Sequence, residues 1–177
     1  MEVTAVGPFL DYWEKVRGRT RRVVDVIPPD RLEWTWQEGK FTLGDLVRHL
    51  AGIERYMYAE NARRLPSRYP GHGRELADGL EAVREYFERC HAESLEIFRG
   101  LTEADLREKC VTPGGAALAV GKWLRLMIEH EIHHRGQLYL ALGMLGVPTP
   151  PIYGLTSEEV RERSRPGGAP REESGKP

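Results

Sequence analysis

Apolar residues recur at three- and four-residue steps in four stretches of the chain, each long enough for an amphipathic helix. The first covers residues 6–27, with Phe9, Trp13, Val16, Val23, Val24 and Ile27 on one stripe and Pro28-Pro29 as its stop. The second covers 42–65, opening on "TLGD", where Thr42 and Asp45 form a capping box, and closing before Pro66. A third covers 75–101, its stripe built from Leu80, Val83, Phe87, Cys90, Ile97 and Leu101. The fourth covers 120–145 and ends at Gly146 and Pro148. Between them, "RLEWTWQEGK" reads as an extended connector, and "PSRYPGHG" and "TPGGAA" read as loops. No convincing strand and no internal repeat is visible.

Four long amphipathic helices predict an all-α, four-helix bundle forming one domain over 1–156. The two later loops are long for a simple up-down bundle, so the connectivity stays open. Residues 157–177 are charged and rich in Pro and Gly, which predicts a short helix at most and then a disordered tail.

Composition narrows the function only by exclusion. The 177 residues are 40% hydrophobic and 30% charged with a formal net charge of −1, so totals argue neither for nucleic acid nor for an anionic membrane. Local basic runs such as "VRGRTRR" and "NARRLPSR" read as solvated helix faces. There is no apolar run of membrane-spanning length and no signal-like start, which predicts a cytoplasmic protein. Cys90 and Cys110 are expected to be free and buried.

The chemistry concentrates in "HEIHHRGQ", residues 130–137. At 100° per residue, His134 falls about 40° from His130, and Trp123, Met127, Gln137, Ala141 and Leu145 lie within about 60°. Both histidines therefore occupy the middle of an apolar stripe, one turn apart, where two imidazoles can reach one ion. His49 faces inward with Leu46, Ile53 and Tyr56 on the second helix. Three imidazoles with one open position are the donor set of a catalytic zinc site. His72 is expected on an exposed loop and His91 in ordinary packing.

Rival readings use the same letters. H-E-x-x-H suggests a zinc protease with Glu131 as base, but no third ligand follows closely downstream. Glu131 stays a candidate base or partner to the ligands. A di-iron bundle would pair "ERCH" with "EIHH" and add Glu14 and Glu54, yet Glu88 falls off its stripe and Glu14 and Glu54 lie toward the edges of theirs. Gln137 and His133 are candidate substrate contacts, and Arg135 is expected in a surface salt bridge. A second apolar stripe on the last helix, Ile128, Ile132 and Tyr139 beside Gly136, predicts a homodimer, unless loops or the tail cover it.

Together, "IPPDRLEWTW", "TLGDLVRHLAGIERY", "TPGG" and "HEIHHRGQLYLALGMLGVP" resemble the DinB (YfiT-like) family of metal-dependent four-helix-bundle proteins, over roughly residues 8–150. The resemblance implies one divalent ion per chain on His49, His130 and His134, zinc first and nickel as the alternative. It further implies a small-molecule substrate and, from some relatives, a low-molecular-weight thiol cosubstrate of the bacillithiol, mycothiol or glutathione type transferred to an electrophile. A hydrolase using a metal-bound water and a bundle with a purely structural metal are the alternatives.

Overall fold

A computed structural model of the chain describes residues 2–165. Four helical rods form the bundle: α1 (Val6–Val24), a second rod, α4 (Leu80–Arg99) and α6 (Val120–Met144). The second rod is one continuous run in which α2 (Leu43–Ile53) passes through a π-helical segment (Glu54–Tyr58) into α3 (Ala59–Ala62). Around the bundle α1 packs on α4, α4 on α2, α2 on α6, and α6 back on α1. Two apolar clusters fill the interior, one around Leu46, Leu50, Phe87 and Leu142 and the other around Trp13, Phe98, Leu124 and Met127.

Contacts between rods fix their directions. α1 and α6 run parallel, since the Val3 amide donates to Gly121 O and the Arg135 guanidinium to Val16 O. α4 runs against α1, as Phe9 meets Phe98 and Arg21 meets Glu88. α2 runs against α6, because His49 lies beside His134 and Tyr58 beside Trp123. α2 and α4 are therefore parallel, and residues 63–79 must return the whole length of α2 before α4 begins. The topology is up, down, down, up. That return explains the long second loop, and it carries Tyr69 and His72 back to the end of the bundle where His49 sits.

Three expectations about the connections are corrected. "RLEWTWQEGK" is not extended: a 3₁₀ turn (Pro29–Arg31) leads into turns that bury Leu32 and leave Trp36 exposed. Strands do exist, as the "TPGG" loop is the tip of a hairpin between β1 (Lys109–Val111) and β2 (Ala117–Ala119). Each strand is three residues long, too short for alternation to show. The third long helix starts at Leu80 rather than 75, after Gly79 at φ 85°. Before β1 lies the short α5 (Glu103–Arg107), and α7 (Ser157–Arg163) realises the short helix expected at the start of the tail. The rest of the tail, 166–177, lies outside the described residues. Both cysteines are free and buried, and no described helix is long and apolar enough to cross a membrane.

Candidate metal centre

His49 is carried two turns into α2, whose start is fixed by the expected capping box: the Asp45 amide donates to Thr42 Oγ1 at 3.0 Å, and the Thr42 amide to Asp45 Oδ2 at 3.0 Å. His130 and His134 lie one turn apart on α6, facing it. The three rings converge through Nε2, with His49 Nε2 and His134 Nε2 each 3.1 Å from His130 Nε2. Among the described residues these three form the group of potential ligands whose donor atoms lie within 4.8 Å of one another. Tetrahedral coordination with metal–nitrogen bonds near 2.0–2.1 Å places ligand nitrogens about 3.3 Å apart. The spacing fits an ion.

The far side of each ring sharpens that fit. His134 Nδ1 lies 2.6 Å from Gln137 Oε1, which can only accept, so the proton of His134 is on Nδ1 and Nε2 is a bare lone pair. The Gln137 amide in turn donates to His133 Nε2 at 3.1 Å. Tyr69 Oη lies 2.7 Å from His49 Nδ1 and 3.4 Å from His72 Nδ1, so one hydroxyl bridges the two rings. One proton on His130 Nε2 can point at only one of its neighbours, and without it Nε2 faces the bare His134 Nε2, so no neutral tautomer satisfies both contacts. A cation removes the conflict. Burial first, then the neighbouring imidazoles, holds His49 down to about 3 and His130 down to about 4, and burial also lowers His134. All three are neutral at neutral pH, the form in which an imidazole can bind a metal.

Residues off the helices complete the surroundings. Phe41 packs on His49 at 5.3 Å, on His134 at 6.2 Å and edge-on to His72 at 4.5 Å between ring centroids. His72 is thus half-buried against the cluster rather than exposed as expected. Tyr58 lies 5.8 Å from His130 and packs at a tilt against Trp123; burial raises its hydroxyl to about 12. Phe41, Tyr69 and His72 gave no periodic signal because they sit in irregular segments. The one available hint was a histidine between two glycines in "PGHG".

Glu131 is buried, but its carboxylate faces Arg17 Nη1 at 3.5 Å instead of joining the histidines. Glu54 pairs with the same guanidinium and accepts from the Trp13 indole N–H and from His91 Nδ1, both at 2.9 Å. Glu14 reaches His91 Nε2 at 3.4 Å. Of the di-iron letters, Glu54 and Glu131 thus meet at Arg17 with His91 joined through Glu54, His134 lies in the histidine cluster, and Glu88 is paired with Arg21 at the surface. Glu54 is fully buried, not at an edge, because it follows Val47, Leu50 and Ala51 on the side of α2 that meets α1 and α4. Arg135 is likewise buried, donating to Val16 O at 3.1 Å, and makes no salt bridge among the described residues.

A helical bundle with a largely buried three-histidine cluster between its second rod and its last defines the class. The DinB superfamily model matches residues 12–138, and the chain belongs to that family. It is 22% identical over 152 residues to the uncharacterized protein YrdA of Bacillus subtilis strain 168, covering 85% of this chain and 89% of that protein. A DinB-like protein from Bacillus cereus ATCC 10987 superposes with TM-score 0.71 at 19% identity, over 84% of this chain and 98% of that one. A mycothiol-dependent maleylpyruvate isomerase superposes with TM-score 0.58 at 18% identity, over 74% of this chain and 60% of that one.

Proposed function

We propose that this chain holds one divalent ion, zinc in the first instance, on His49, His130 and His134, and that it transfers a low-molecular-weight thiol to a small electrophile. The convergence of three Nε2 atoms carries the reading. The thiol is suggested by the mycothiol dependence of a structural neighbour. When bound, the ion would supply Lewis acidity, holding a coordinated thiol as its thiolate or lowering the pKa of a coordinated water toward neutrality. Gln137 fixes the tautomer of His134, and Tyr69 holds the His49 ring by its Nδ1, so that each Nε2 faces inward. His133, exposed at the end of the Gln137 chain, contacts the bound substrate. Glu131 serves the site through Arg17, tying α6 to α1 beside its own two histidines. The exposed outer face of α6 joins two copies into a homodimer.

Elemental analysis of untagged protein, wild type beside His49→Ala, tests the site. We expect about one equivalent of divalent metal in the wild type and loss of most of it in the variant, with the helical circular dichroism retained. Unchanged stoichiometry in His49→Ala sinks the assignment. Loaded protein is then screened for consumption of bacillithiol, mycothiol and glutathione against a fluorogenic electrophile. If metal is bound but no thiol is consumed, the transferase reading is wrong and the metal site stands.

A further inference from the structure

The histidine cluster is covered by two segments that have no regular structure of their own near it. One is the connector between α1 and α2, which brings Phe41; the other is the 63–79 return, which brings Tyr69 and His72. Backbone bonds tie each to the second rod separately, the Leu43 amide to Trp34 O and the Arg68 amide to Tyr56 O. A single side chain reaches both: Arg48, next to His49 and fully buried. Its Nη2 pairs with Glu33 of the connector, and Glu33 also accepts from the Thr42 hydroxyl at 2.9 Å, one residue from Phe41. Its Nη1 donates to Asp45 Oδ1 at 2.9 Å and to His72 O at 3.4 Å, and its Nε donates to Ala77 O at 2.8 Å. One guanidinium thus joins the helix cap, the connector and two points of the return.

The same face of α2 is cleared for this arrangement. Gly44, Arg48 and Gly52 follow at four-residue spacing and so line up along the helix. A Cβ at Gly44 would meet Arg48 Nη2 and Glu33 Oε1 at 2.9 Å, and one at Gly52 would meet Tyr86 Oη at 3.1 Å and the Tyr69 ring at 3.4 Å. One glycine admits the ion pair to the connector, and the other admits the return segment.

We propose that Arg48 is a positioning residue: it holds Phe41, Tyr69 and His72 as a roof over the cluster and thereby sets what reaches the three histidines. Its importance for substrate choice rests on the metal-site reading, but the roof itself is testable without metal. Arg48 does not touch the histidine rings. It acts through the two segments, by a fan of contacts that a lysine cannot reproduce.

The test is acylation of the metal-free protein by diethylpyrocarbonate, with each histidine's rate read by mass spectrometry. Exposed His133 and core-buried His91 serve as internal references. In Arg48→Met and Glu33→Gln we expect His49 and His134 to react faster by about tenfold or more, through easier local opening, with His133 and His91 unchanged. Phe41→Ala, which leaves Arg48 in place, should give the same pattern, and Arg48→Lys should not restore the slow rates. In cobalt-loaded protein the roof variants should also shift the visible spectrum on thiocyanate addition at lower anion concentration than the wild type. If His49 and His134 stay within about twofold of wild type in folded Glu33→Gln and Phe41→Ala, the proposal is overturned, whatever becomes of Arg48→Met. An equal rise at His91 would mean global unfolding and would overturn it as well. A wild type that binds no metal would sink the proposed function and leave the acylation result standing.

Discussion

Arg17 lies wholly inside the bundle, its guanidinium 4.1 Å from the Phe87 ring and 5.3 Å from the Trp13 ring, between carboxylates from two other rods. Burying such a group is unfavourable unless its partners are in place, and removing one partner strands the rest. Arg17→Met leaves Glu54 and Glu131 facing each other without a cation and is expected to destabilise the protein by about 3–5 kcal/mol. Adding Glu54→Gln to it should recover part of that loss, since one stranded charge disappears. Urea midpoints of the wild type, both single variants and the double variant measure the coupling. A double variant whose loss equals the sum of the two single losses would show that the residues act independently. Residue by residue, the sequence was legible where chemistry sat on a helix at a countable angle, as with His49, His130 and His134. It was misleading for Glu54 and Arg135. A charged residue's burial depends on partners contributed by other rods, Arg17 for one and the Val16 carbonyl for the other, and no single helical wheel contains them.

At the scale of elements, the four rods and their stripes could be read because burial imposes a period of 3.6 on each. The pieces between them could not. Their positions follow from topology, and the parallel placement of α2 and α4 alone sends the return past His49. Short elements show the same dependence on local chemistry. α5 is held by a capping box in which the Thr102 hydroxyl and amide donate to Asp105 Oδ2 at 2.6 and 2.9 Å, while Arg64 donates to Asp105 Oδ1 at 2.9 Å. Thr102 first, then Arg64, holds the Asp105 carboxyl down to about 2. A carboxyl lowered on folding stabilises fully above its unfolded value near 3.9 and loses that contribution as pH falls toward the folded value. Asp105→Asn should therefore be less stable than wild type at pH 6, with the gap closing between about pH 4 and 2. Denaturation midpoints across that range provide the check. A gap that stays constant with pH would mean that Asp105 caps α5 without its charge mattering.

At the scale of the whole molecule, the described residues leave an apolar stripe of α6 uncovered. The expected second stripe of α6 is partly occupied from within: Ile128 is buried in the core cluster, and Ile152 and Tyr153 line the groove beside Ile132, Gly136 and Tyr139. What remains outside is a line at four-residue spacing, Ile132, Gly136, Leu140 and Met144, with Leu140 67% and Met144 59% exposed. Gly136 has open space above it, which allows another helix to approach closely. A stripe of this kind facing a second α6 related by a two-fold axis would bury the same residues on both copies, the usual form of a homodimer contact. If so, Leu140→Glu places two like charges opposite each other and should convert a dimer to a monomer at micromolar concentration, as read by sedimentation equilibrium. Substitution at Val111, exposed on the hairpin next to α5, should leave the mass unchanged. A wild type that sediments as a monomer, or a Leu140→Glu variant that remains dimeric, would move the contact to another face. Because the stripe lies on the same helix as His130 and His134, loss of the dimer with metal content intact would separate assembly from the site.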